Sequence, residues 1–162
     1  MPILVRPYDP DGPAGVPDDA ATLAVFRRAV HVTAAADYTP EQLAAWAPAD
    51  PDLAAWAVRR AARRTVVATL DGRVVGFTDV DADGYVDMMF VDPDAARRGV
   101  GRALLAWAHD EAVRLGATSM TTRASLTARP FFEAHGFRVE REHQPVVRGV
   151  SLTNFAMRRP LP

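Results

Sequence analysis

Apolar and polar positions change their rhythm along this chain, and the changes mark its elements. "ILVRPYD" alternates with period two and reads as a first strand, and "PDGPAGVPDD" after it reads as a loop. Apolar positions then recur every three or four residues. Asp18 or Asp19 is placed to cap a helix through "AATLAVFRRAVHVTAAA", with Leu23, Phe26 and Val30 on one face. "TPEQLAAWAP" opens with a Thr cap and a Pro at the first helical position, and "PDLAAWAVRRAAR" repeats the Pro-then-acid start. From Thr65 the period returns to two. "TVVATLDGRVVGFTDVDADGYVDMMFVDP" holds three β-rich runs separated by "DG" and "ADG", strong hairpin signals that predict an antiparallel meander. A long helix is expected from Val100 to Leu115, with Leu104, Leu105, Ala108 and Val113 inward and Gly116 closing it. "TSMTTRAS" is a strand, "TARPFFEAHG" a short helix, and "FRVEREHQPVVRG" with "VSLTNFAMRR" a hairpin about Gly149. The order is β, helices, βββ, α, β, α, ββ, without repeats or a low-complexity linker.

Composition narrows the chemistry. At 162 residues and 49% hydrophobic, residues 1–162 suit a single domain with an adequate core. The sequence has no long apolar run and no secretory start, so a cytoplasmic location and no membrane partner are expected. There is no cysteine, hence no disulfide, no zinc-thiolate site and no thiol nucleophile, and no metal is expected. Every basic residue in the Lys+Arg count of 19 is arginine, so a Schiff-base lysine is absent as well. A net charge of -1 offers nucleic acid no global attraction, and any anion site must be local.

One local patch stands out in "VDPDAARRGVGRA", from Val91 to Ala103. Two glycines allow close backbone approach, and the first N–H groups of the helix that follows have no partner within it. Arg97, Arg98 and Arg102 lie at the positive end of the helix dipole, a poor place for them unless an anion sits there. A tight turn with solvated charges is the plainer explanation, and the local pattern does not separate the two. Nucleoside triphosphate hydrolysis is excluded by the absence of Gly-Lys-[Ser/Thr]. A dinucleotide site fits poorly, because the turn follows a β-meander instead of opening a βαβ unit.

The succession of strand, "VDPDAARRGVGRALL", helix, strand and "FFEAHGF" resembles the GNAT superfamily of acyl-CoA-dependent N-acyltransferases, whose Gln/Arg-x-x-Gly-x-Gly/Ala loop cradles the CoA pyrophosphate. "DYTPEQLAAW", "SLTARPFFEAHGF" and "GVSLTNFAM" resemble its bacterial YafP-like branch. The resemblance implies an α/β fold with a mostly antiparallel mixed sheet of about seven strands, splayed at the cofactor strand and covered by helices on both faces. It implies acetyl-CoA as cosubstrate and an amine on a small molecule or peptide as acceptor, and it leaves a homodimer open. The cofactor would lie on Met89, Phe90 and Val91, whose backbone can polarise the thioester carbonyl at Phe90 or Val91, and on Arg97, Arg98, Gly99, Val100, Gly101 and Arg102.

Two positions depart from the family pattern. Ala96 replaces the first loop residue, and Phe132 stands where the family has a tyrosine that protonates the leaving thiolate. A thiol pKa near ~8.5 makes that loss tolerable; solvent, Tyr38 or Ser125 remain as donors, and Ser125 also falls where it can touch the pantetheine. A catalytically weak CoA-binding sensor is the alternative reading. An amine acceptor must lose a proton, and Asp87, two residues before Met89, is the expected base, with Asp79 behind it. Tyr38, Gln42 and Trp46 share one face at i, i+4 and i+8 and, with His31, are the expected acceptor contacts. His143 is a further histidine able to face the pocket, whereas His109 and His135 lie elsewhere. Each of these also has an ordinary structural explanation: a cross-strand ion pair for Asp87, core packing for Trp46.

Overall fold

Continuously buried strands lie at the centre of the computed structural model, which describes residues 2–162. β1 (Leu4–Pro7), β2 (Arg64–Leu70), β3 (Arg73–Val80) and β5 (Met89–Val91) form one antiparallel sheet in the order β1-β2-β3-β5. β2 and β3 are buried at every position after the first, because helices cover both faces. On one face α4 (Val100–Arg114) packs Val100 and Leu104 against Val66, Ala68, Leu70 and Val75. On the other, α1 (Asp18–Arg28), α2 (Pro40–Trp46) and α3 (Leu53–Ala61) bring Leu23, Phe26, Leu43 and Trp56 onto Val67 and Phe77.

A second sheet has the order β4-β6-β10-β7, from β4 (Tyr85–Val86), β6 (Ser119–Ser125), β10 (Asn154–Pro160) and β7 (Arg138–His143). β4 runs parallel to β6, and the other pairs are antiparallel. Its apolar face, with Met120, Ala124, Phe155 and Met157, meets α4 and α5 (Arg129–Ala134); Thr121, Arg123 and Ser125 line the polar face. β8 (Val146–Val147) and β9 (Val150–Ser151) make a small third pair. Counting β4 and β5 as one broken strand, the two main sheets hold the seven expected positions.

Local chemistry explains most boundaries. Asp71 and Gly72 have φ of 53° and 78°, and Arg148 and Gly149 48° and 79°, the left-handed pairs that two-residue hairpins use. Thr39 and Gln42 cap α2 reciprocally, and Asp52 caps α3 through the Ala55 N–H. Three expectations change. Asp18 does not cap α1; it is fully buried, takes two bonds from Arg6 at 2.6 and 2.9 Å and one from the Asp9 N–H, and so ties β1 to α1. The α1 stretch does not run on as one helix, since Ala29–Thr33 widens into a π-helical turn followed by a 3-10 turn at Ala34–Ala36. In α4, Ala112 faces inward and Val113 is exposed, as the 3.6-residue period carries Val113 past the core stripe.

Candidate active site

The site is built where one β-rich run breaks. β4 and β5 are consecutive pieces of "YVDMMFV", yet Tyr85 and Val86 pair with Thr121 and Thr122 of β6, while Met89, Phe90 and Val91 pair with Thr78, Phe77 and Gly76 of β3. Asp79 holds the break: its Oδ1 accepts from the Asp87 N–H at 2.9 Å and its own N–H donates to the Met88 carbonyl at 3.3 Å. Asp79 is itself fully buried against Arg60 at 2.8 Å and Arg63 at 3.0 Å. Burial pushes its carboxyl up, against the Asp87 N–H and the two guanidinium groups. With every charge partner inside the protein, Asp79 is an anchor for the backbone, not an accessible base.

Past the break the sheet forks and β5 becomes an edge. The Asp92 N–H donates to the Val75 carbonyl at 2.7 Å, and the Met88 carbonyl accepts from Asp79. Phe90 lies midway between these two bonded positions, so two-residue alternation turns its N–H and C=O toward β3. The expectation that the Phe90 N–H serves the carbonyl is therefore corrected: Met89 and Val91 present their backbone groups to the open edge.

The fork leads to the start of α4. Arg97 has φ 61° and Gly99 φ 88°, and these left-handed turns bend the loop so that successive N–H groups form a concave nest suited to an anion. The first turn of α4 carries no acidic residue. Arg97, Arg98 and Arg102 are exposed, and among the described residues none has an ion-pair partner. Gly101 lets α4 pass close to Phe131: an added Cβ would lie 3.1 Å from the Phe131 ring.

Two cavities meet at the fork. The first, about 210 Å³, is mainly apolar and runs from Met89, Phe90 and Val91 to Gly101, with Phe131 and Phe132 on its far wall. The π-helical turn supplies Ala29 and Thr33 to it. The second, about 310 Å³, opens on the other side between Tyr38, Trp46, Tyr85, Asp87 and Arg123. A narrow gap of about 50 Å³ lined by Asp87, Met89, Phe90 and Ser125 lies between them. Trp46, Phe90 and Ser125 border all three spaces.

The structure thus brings most of the sequence candidates together. Asp87 is half-exposed, faces the second cavity and the gap, and has Arg60 behind it at 3.5 Å. Trp46 packs edge-on to Tyr38 at 5.4 Å and Phe90 at 6.1 Å between ring centroids. The Tyr38 hydroxyl donates to the Thr153 carbonyl at 2.6 Å and accepts from the Leu126 N–H at 2.9 Å, and burial pushes its phenol up. Its proton is committed to the backbone, and the ring closes one end of the second cavity. Ser125 Oγ accepts from the Ala128 N–H at 3.0 Å. Phe132 is buried and supplies ring surface only.

Other candidates fall outside. Gln42 is used up by its capping box and by the Ser151 carbonyl at 3.0 Å, and borders neither cavity. His31 is exposed, with Nε2 2.7 Å from the Ala47 carbonyl. His143 on β7 borders neither cavity. Residues missed from sequence include Tyr85 and Arg123; both lie on the polar face of their strands, in step with Asp87 and Ser125, which was the available signal. Arg60 and Arg63 behind Asp87 had none. Among the described residues no His, Cys, Asp and Glu cluster is placed to hold a metal, and no helix is long and apolar enough to cross a membrane.

A forked sheet edge beside a helix N-terminus agrees with what comparison with known proteins gives. The family model described as an acetyltransferase (GNAT) domain matches residues 34–159. The chain is 37% identical, over 156 residues covering 96% of it and 95% of the relative, to a protein of Escherichia coli (strain K12) called uncharacterized N-acetyltransferase YafP. A crystal structure of a GCN5-related N-acetyltransferase from Rhodopseudomonas palustris shares the fold with a TM-score of 0.91 and 34% identity, over 98% of this chain and 95% of that one. The PaiA N-acetyltransferase of Thermoplasma acidophilum, solved with coenzyme A, has a TM-score of 0.76 at 18% identity, over 99% of each chain, a likeness of fold. This chain belongs to the GNAT acetyltransferase family.

Proposed function

We propose that this chain works as one domain that transfers an acetyl group from acetyl-CoA to a primary amine, both bound at once. The observation that carries the reading is the open edge of β5, which runs through an apolar cavity to the N-terminus of α4. An extended pantetheine arm suits that edge, where Met89 and Val91 offer unpaired backbone groups. The pyrophosphate suits the nest at Arg97–Gly99 and the unpaired charges of Arg97, Arg98 and Arg102. That the Thermoplasma acidophilum protein of the same fold was solved with coenzyme A supports this cosubstrate.

Acetyl-CoA supplies an activated thioester, whose C–S bond is exchanged for the C–N bond to the amine. The protein's own groups position and deprotonate. The Met89 or Val91 N–H can polarise the acetyl carbonyl. Asp87, on the second cavity and the gap, takes the proton from the ammonium directly or through one water. Arg60 holds that carboxylate from behind. Phe132 has no proton for the departing sulfur and Tyr38 has committed its own, so water or the Ser125 hydroxyl provides it.

Calorimetric titration with acetyl-CoA, followed by amine-dependent thiol release, tests the reading. Asp87→Asn is expected to lower kcat by roughly 10²–10⁴-fold with acetyl-CoA affinity unchanged, because Asp87 lies on the acceptor side. Binding without release from any amine would favour a CoA-binding sensor. Absence of acetyl-CoA binding would overturn both.

A further inference from the structure

Two opposite charges flank the acceptor cavity without neutralising each other. β4 and β6 are parallel and in register to Val86 and Thr122, so the next pair across the fork is Asp87 and Arg123. Each is two residues beyond a polar-face neighbour, Tyr85 and Thr121, and both therefore face the second cavity and the gap. Asp87 has its ion pair with Arg60, on the buried side, and among the described residues Arg123 has none. Among the described residues no other charged side chain borders the second cavity. The strands are paired one residue earlier, at a spacing of about 4.8 Å, so the gap between the two groups has only begun to widen.

The remaining walls have a different character. Trp46, Phe90, Val147 and Leu152 are apolar. Asn154 sits in the ladder row between Ser125 and His143, and its Oδ1 is buried without a donor.

We propose that the acceptor is a zwitterion of the α-amino-acid type with an apolar or aromatic side chain. Asp87 takes its ammonium, Arg123 its carboxylate, and the Trp46, Phe90, Val147 and Leu152 wall its side chain. An amine and a carboxylate on one carbon present both charges together, which suits opposite charges on neighbouring strand ends; a long ω-amino acid would hold its two charges farther apart. Arg123 disfavours polyamines and other polycations, which would bring a second positive charge against it. The size of the cavity is at the lower end of the roughly 300–1,000 Å³ of small-molecule sites, which suits a free amino acid over a folded protein terminus. This inference rests on the acetyltransferase reading for its consequence, acetylation of the amino group, but the binding it asserts is measured without acetyl-CoA turnover.

The experiment is a calorimetric titration of the whole protein, with coenzyme A present and absent, against L-phenylalanine, L-leucine, L-methionine and L-tryptophan. L-phenylalaninamide lacks the carboxylate and hydrocinnamate lacks the amine, and both serve as probes. At least one amino acid is expected to bind saturably. For a bound phenylalanine, loss of either charged group weakens binding about 10–150-fold, the equivalent of a charge-assisted hydrogen bond. Arg123→Gln should abolish the preference for phenylalanine over its amide, and Asp87→Asn that over hydrocinnamate. Arg123 is exposed, so the variant is expected to keep its fold, which its thermal transition checks. Failure of all four amino acids to bind overturns the inference, as does an amide that binds equally well or a carboxylate preference that survives Arg123→Gln. Failure of acetyl-CoA to bind while phenylalanine does would overturn the transferase reading alone.

Discussion

Arg97 occupies a left-handed backbone position, φ 61°, that a side chain with a Cβ enters at a cost of about 1–2 kcal/mol. Nothing in its own contacts offsets this, because its guanidinium is exposed and unpaired among the described residues. The turn is stabilised by its neighbours: Asp92 caps the preceding 3-10 turn through the Asp94 N–H, and Gly99 starts α4. At Asp71 and Arg148 the same conformation serves a hairpin; Arg97 starts no hairpin, which makes its strain a pointer to a ligand role. Arg97→Gly removes the Cβ penalty but adds about 0.5–1 kcal/mol of unfolded-state entropy. The expected outcome is a thermal midpoint equal to or above that of the parent protein, together with weaker acetyl-CoA binding. Differential scanning calorimetry and titration on the same preparation read both, and a lowered midpoint with unchanged affinity would mean the arginine serves the fold.

At the scale of elements, the site depends on how closely α4 lies on the sheet. Gly76 of β3 sits under it: a Cβ there would lie 2.9 Å from Val100 Cγ1 and 3.1 Å from both Leu104 Cδ1 and the Phe90 carbonyl oxygen. Gly76→Ala forces α4 outward or β5 sideways, at a cost of about 1–3 kcal/mol for overpacking. It should also raise KM for acetyl-CoA, since Val100 starts the helix whose N-terminus closes the nest; an unchanged KM would show that the helix end is set independently. The same elements show what sequence could and could not reveal. "DG" at Asp71 and Gly72 located one hairpin and Gly149 another because left-handed turns favour Asp and Gly, and α4 was legible from Leu104, Leu105 and Ala108. The fork was visible only by resemblance. What breaks "YVDMMFV" is the Asp79 carboxylate accepting from the Asp87 N–H, a contact between strands that no period within one strand records. The buried Arg60 was hidden for a like reason, since arginines stand at 59 and 60 on α3 and at 63 and 64 just after it, and only the packing distinguishes them.

Across the whole molecule, the lack of lysine leaves an unusually clean alkaline titration. With no lysine in the chain, the three tyrosines are the side chains whose ordinary range falls in the alkaline region below that of arginine. Burial pushes all three phenols up, Tyr8 to about 12, Tyr38 and Tyr85 in the same direction, with the Asp87 charge adding to the effect at Tyr85. The sign follows from linkage: the folded state holds these protons more tightly than the unfolded chain, whose phenols titrate near 10. Stability is therefore fully present below pH 10 and falls as the pH rises through the folded values, toward 12 for Tyr8. Tyr8 has a further cost, because its hydroxyl is buried without a partner. Tyr8→Phe is expected to raise stability at neutral pH by about 1 kcal/mol and to flatten the alkaline decline. Urea unfolding from pH 8 to 12 measures both. The phenols lie in different parts of the fold, Tyr8 after β1, Tyr38 before α2 and Tyr85 on β4, so a single cooperative transition moving with all of them would also support one folding unit. Two separable transitions would count against the single-domain reading, and a decline that Tyr8→Phe leaves untouched would assign the linkage to the two tyrosines of the acceptor cavity.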